Sequence, residues 1–201
     1  MMKVYKILLA IFMIIFALSC GSDDESSEAP DDAGFVQFFE ALKQECGNAY
    51  EGRLMIQPDD VEMFTGTEKM VMHFWECSDN ELKIPFHIED EETGEWDRSR
   101  TWIFTLHNDK LELRHDHRNP DGTDEEVTMY GGYSFGPGSE RIQRIQSDQA
   151  EDDSEFRGWR IEYLPGNRYS YGTSRGTEWN IMVQFDLTEQ IDTPPAPWGH
   201  E

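Results

Sequence analysis

Apolar residues recur along this chain in three different rhythms. Ile7 to Leu18 is an unbroken apolar run of 12 residues. Phe35, Phe38, Phe39 and Leu42 then stand at i, i+3, i+4 and i+7, one stripe of a short helix over residues 35–47, and Gly47 suits its stop. From Ala49 onward the spacing drops to two, the period of a strand with one face buried.

The alternating region divides at turn-forming clusters. Strands are expected at 50–57, 69–77, 82–88, 100–107, 110–118, 127–135, 158–164, 168–173 and 179–187. Ser78-Asp79-Asn80, Asn108-Asp109, Pro120-Asp121-Gly122, Pro165-Gly166-Asn167 and Ser174 to Thr177 supply the turns. Residues 89–99 read as a charged loop. Residues 136–153 are ambiguous, with Ile142 and Ile145 pointing to a short helix or an edge strand. Successive hairpins without strand–helix–strand alternation define an all-β fold, an antiparallel meander of about nine strands that closes best as a calycin-like barrel with one short helix before it. The β domain spans 48–190, and 191–201 is an extended tail whose Trp198 is expected on the body.

Composition narrows the function classes. The chain carries 41 acidic against 17 basic residues, a net charge of −24. Such a chain is repelled by nucleic acid and by anionic lipid surfaces, so no nucleic-acid partner is expected.

The first apolar run is too short to span a bilayer and, behind Lys3 and Lys6, fits a signal peptide over 1–19. Its end, Ala17-Leu18-Ser19-Cys20, resembles the lipobox of bacterial lipoproteins. That resemblance implies cleavage before Cys20, acylation of its thiol by palmitate-type chains, and anchoring to the outer membrane on its periplasmic or outer face. Residues 20–34 form an acidic, Ser-rich tether. Its Ser22-Asp23-Asp24-Glu25 is similar to the surface-export signal of Bacteroidetes lipoproteins. In an exported chain the two remaining thiols, Cys46 and Cys77, are expected to form a disulfide worth about 3–4 kcal/mol.

Chemistry concentrates in LELRHDHR. Leu111, Leu113, His115 and His117 share the inward face; Glu112, Arg114, Asp116 and Arg118 are all charged and are expected to face water. Two imidazoles two residues apart on one strand face can share a metal, with His87 or His73 converging from other strands; Asp116 points away. The ordinary alternative is a pair of hydrogen-bonded histidines near the barrel rim. Arg100, Arg114 and Arg118 could clamp an anion, or pair with surface carboxylates. The acidic loop with Asp121, Asp124, Glu125 and Glu126 lacks calcium-loop spacing.

The segments CGNAYEGRL, HFWECSDNELKIPFHI, SRTWIFTL, LELRHDHRNPDGT, MYGGY and PPAPWG together resemble an uncharacterised group of small exported bacterial β-rich proteins. The resemblance runs from Phe38 to Gly199. It implies one compact unit and supports the pairing of Cys46 with Cys77, but implies no activity or cofactor. Three functions follow from the residues. The first is a barrel that binds a small apolar or amphipathic ligand, with His115, His117, Arg100, Trp102 and Tyr133 as candidate lining residues. The second is an enzyme using the His115/His117 pair with a metal or in acid–base chemistry. The third is a structural or interaction protein of the envelope.

Overall fold

A computed structural model of the protein describes residues 33–150 and 155–200. The signal segment, Cys20 and nearly all of the tether lie outside the described residues.

The helix is present as α1 (Gly34–Lys43), and Phe35, Phe38, Phe39 and Leu42 are its buried face, as the spacing predicts. Eleven strands follow: β1 (Ala49–Ile56), β2 (Met70–His73), β3 (Glu76–Cys77), β4 (Glu81–Glu89), β5 (Trp96–Leu106), β6 (Leu111–His117), β7 (Tyr130–Ser134), β8 (Ile142–Ser147), β9 (Arg157–Leu164), β10 (Arg168–Arg175) and β11 (Glu178–Asp186). Strands β4 to β11 pair antiparallel in sequence order. Strand β1 joins β11 to β2, and β2 pairs with β4, which closes a ring of ten strands. The eleventh, β3, continues the line of β2 along β4 after Phe74-Trp75, where the register slips by one residue. The single strand expected at 69–77 is thus one strand with a bulge in it.

The structure extends the sequence reading in two places. Residues 96–99, assigned to a loop, open β5, with Trp96 paired to Glu89. The ambiguous segment supplies the tenth barrel strand, β8. Its inward residues are Gln143 and Ile145, while Ile142 is exposed, so its two isoleucines fall on opposite faces.

An up-and-down barrel has two distinct ends, and here they differ. At one end β6 starts, β5 and β9 finish, and α1 lies across the opening. Phe38, Phe39 and Leu42 are fully buried in the same apolar cluster as Leu82, Phe104 and Leu111. Burial of such side chains contributes roughly 1.5–3 kcal/mol each. Just beyond α1 the Glu45 carboxylate accepts hydrogen bonds from the Tyr50 hydroxyl at 2.5 Å and the Tyr163 hydroxyl at 2.7 Å. The Cys46–Cys77 disulfide fixes the same segment to β3. Burial, reinforced by the Glu45 carboxylate, pushes the Tyr50 hydroxyl up to about 12.

Inside the barrel Trp102 is the central ring, stacked on Tyr171 at 3.9 Å and on Phe86 at 5.0 Å. In β7, Gly131 and Gly132 let three strands pack without side chains between them. A Cβ at Gly131 would stand 1.9 Å from the Leu113 carbonyl oxygen, and one at Gly132 1.7 Å from that of Gln146.

The tail straps the outside of β4 to β6. The Pro195 carbonyl accepts from His87 Nε2 at 2.9 Å, and the Ala196 carbonyl accepts from Arg98 Nη1 at 2.6 Å. His200 Nε2 lies 3.8 Å from the Asp116 carboxylate. Pro197 is buried and Trp198 half-buried. The charged face of β6 is therefore not uniformly solvated: Asp116 is only 3% exposed, and Arg118 donates to both its carboxylate oxygens at 2.9 and 3.0 Å.

Candidate functional site

The mouth opposite α1 holds a cavity of about 220 Å³. Strands β4, β5, β6, β7, β9, β10 and β11 wall it, and the β1–β2 connection contributes Met63 and Phe64. Gln57 fixes that connection through both halves of its amide: Nε2 donates to the Phe64 carbonyl at 3.0 Å, and Oε1 accepts from the Phe64 amide at 3.0 Å. A larger hollow of about 610 Å³ lies beside Gln57, Asp59 and Glu62, but it is more open and its lining holds no imidazole.

His115 forms part of the cavity wall. On β6 it follows Leu111 and Leu113 inward and stands in register with Trp102 of β5. Its Nδ1–H donates to the Tyr130 carbonyl at 3.1 Å, which leaves Nε2 to accept from the Tyr171 hydroxyl in a short hydrogen bond. These partners assign a neutral imidazole with the proton on Nδ1. Burial agrees, pushing its pKa from 6.5 down to about 3. The ring lies nearly parallel to that of Tyr130, with centroids 4.6 Å apart, and Trp159 stands 4.7 Å away.

His117 closes β6 nearer the rim. Its Nε2 is 3.1 Å from the Tyr130 hydroxyl and its Nδ1 is 3.6 Å from the Glu125 carboxylate. Burial first, then the positive charge of Arg100, lowers its pKa; Glu125 and Asp97 oppose the shift. Arg100, in register with His117 across β5 and β6, is held at Nη1 by the Asp97 carboxylate and by the Ser99 hydroxyl at 3.1 Å.

Four predicted lining residues, His115, His117, Arg100 and Trp102, therefore meet in one cavity. The fifth, Tyr133, does not. It pairs with Glu112 on the outer face, where Lys110 lies 4.2 Å and Arg114 5.2 Å from its ring centre. Tyr130, three residues earlier, occupies the inward position. His87 is also corrected as a metal candidate, because it faces outward beneath Pro195 with its Nδ1 buried and unpartnered. His73 lies on the outward face of β2, alternating with the inward Met70 and Met72. Among the described residues no group of three or more His, Cys, Asp or Glu side chains is placed to hold a metal ion. Arg114 and Arg118 pair outside the barrel, with Glu112 and Asp148, and with Asp116 and Asp124.

Sequence reasoning overlooked Tyr130 and the two loop residues. Strand alternation could have found Tyr130, since it stands two positions from the inward Gly132. Nothing periodic marks Met63 and Phe64.

No family model matches the chain, and no curated protein matches it either.

Proposed function

We propose that this protein is a bacterial lipoprotein, anchored through Cys20 to the outer membrane, whose barrel binds a small apolar or amphipathic molecule at its mouth. The observation that carries the reading is the cavity itself: about 220 Å³ bounded by the rings of Phe86, Trp102, Tyr130, Trp159 and Tyr171. An apolar protein cavity of about 150 Å³ holds a benzene molecule, so this one suits one ring, two fused rings or a short acyl chain. Flat walls favour a flat guest. Both nitrogens of His115 are already engaged, which makes that residue a wall rather than a free base.

Titration calorimetry of the chain from Gly21 onward, which lacks the apolar run at Ile7 to Leu18 and the thiol of Cys20, with indole and naphthalene tests the binding. Micromolar binding is expected, lost in Val183→Phe, which fills the cavity while the far-ultraviolet circular dichroism is retained. Absence of binding by either compound sinks the reading. The anchor is tested separately, by whether Cys20→Ser abolishes palmitate labelling and leaves residues 1–19 uncleaved.

A further inference from the structure

We propose that the mouth cavity selects a planar ligand bearing a carboxylate, which Arg100 holds through Nε and Nη2 beside His117. This rests on the binding reading above and names the chemistry of its ligand.

The first support is charge placement. Acidic residues outnumber basic ones 41 to 17 in the chain, yet the described residues that line the cavity include no Asp or Glu, and among them Arg100 carries the one permanent charge. Asp97 pairs with Arg100 and Glu125 faces His117 from outside the lining, so the groups turned to the cavity are a guanidinium and an imidazole, which suit an anion. The long-range repulsion of the acidic surface is screened within about 8 Å at physiological salt, so the groups inside the cavity decide the preference.

The second support is geometry. Arg100 and His117 are cross-strand partners, so their side chains stand side by side on the inner wall. Asp97 and Ser99 both take hydrogen bonds from Nη1 of Arg100, which leaves Nε and Nη2 without a partner among the described residues. These are the donors a guanidinium presents to a carboxylate. Below the clamp, Trp102 and Tyr171 present the flat apolar wall that an aromatic body requires. A ligand with an aromatic ring and a carboxylate thus meets each part of the wall with matching chemistry.

The third element is proton linkage. His117 is faced by Arg100 and Asp97 from β5, by Tyr130 from β7, by Glu125 from the connection between β6 and β7, and by neutral His115 on its own strand. A carboxylate placed between Arg100 and His117 offsets the guanidinium charge and the burial that keep the imidazole neutral. Binding then takes up a proton, and affinity rises as pH falls through the imidazole range.

The test is titration calorimetry of the chain from Gly21 onward with 2-naphthoate and its neutral counterpart 2-naphthamide, at about pH 6 and about pH 8. Two charge-assisted hydrogen bonds predict at least about tenfold tighter binding of the carboxylate at the lower pH. Its advantage should shrink at the higher pH, and His117→Gln should remove that dependence. Arg100→Gln should bring the carboxylate down to the level of the amide, and the wild-type ratio decides alone should the variant not fold. Equal affinity of acid and amide in the wild type overturns the clamp and leaves the binding cavity standing. Failure of both compounds, together with indole and naphthalene, overturns the binding reading and the clamp with it.

Discussion

Replacing His115 by Gln should flatten the acid sensitivity of the fold by a calculable amount. His115 is neutral in the folded protein and its pKa falls from 6.5 to about 3. In the unfolded chain it takes up a proton near the ordinary value. Because the folded pKa is the lower one, the unfolded state binds the proton first; the stability is complete well above pH 6.5 and is lost progressively on acidification toward the folded value. For a single group of this kind the loss is about 1.4 kcal/mol at about pH 5.5 and about 2.7 kcal/mol at about pH 4.5, approaching roughly 5 kcal/mol at the limit. Gln keeps an acceptor for the Tyr171 hydroxyl and a donor for the Tyr130 carbonyl but does not titrate. His73, His87 and His117 are lowered in the same direction, so the variant retains their share of the acid loss. The assay is urea denaturation followed by circular dichroism at about pH 7 and about pH 4.5, where carboxylates held low in the fold, such as Asp97 and Glu112, begin to add losses that both proteins share. The fall in stability between the two should be smaller in His115→Gln by about 2.5 kcal/mol, whatever the variant's stability at neutral pH. An equal fall in both proteins would refute the assignment of a buried neutral imidazole.

Other expectations concern the frame around the cavity. Reduction of Cys46–Cys77, which closes 31 residues, should cost about 3–4 kcal/mol, read as a lower urea midpoint in dithiothreitol. Gly132→Ala should prevent folding, because its methyl would meet the Gln146 carbonyl at 1.7 Å; soluble expression with a native spectrum would contradict this. Phe38→Ala, at the fully buried centre of the α1 face, should lower stability by about 3–5 kcal/mol, and a change under about 1 kcal/mol would mean that α1 does not seal the barrel.

The parts of this fold that were legible in the sequence are those where one face of a strand is apolar throughout. β4 and β11 show this, with Leu82, Ile84 and Phe86, and Ile181, Val183 and Phe185, all buried. β8 was hidden because a glutamine takes an inward position. Gln143 is buried there since its amide donates to the Ser139 carbonyl at 2.9 Å within the β7–β8 turn, and a pattern scored on apolarity reads Ile142 and Ile145 as a helix spacing instead. Tyr133 was exchanged for Tyr130 because Gly131 and Gly132 between them carry no side chain to mark the faces. His87 belonged to the outward set by alternation, and its burial arises from the tail, which lies 108 residues away in sequence. The inward pair His115 and His117 was legible because leucines lead into it. That both nitrogens of His115 are engaged was not, since Tyr171 comes from a strand 56 residues further on.

The position of α1 fixes the end of the barrel at which the chain enters. The chain enters the domain at Gly34, packed against Pro137 and Gly138 in the β7–β8 turn, at the floor of the barrel and not at its rim. The chain ahead of Gly34 therefore joins the barrel at its floor, and the cavity opens at the far end, roughly 20 Å away for tilted strands of about eight residues. Whatever is attached ahead of Gly34 is thereby kept a wall's height from the cavity's entrance. Truncation ahead of Gly34 should therefore leave untouched what the cavity can hold.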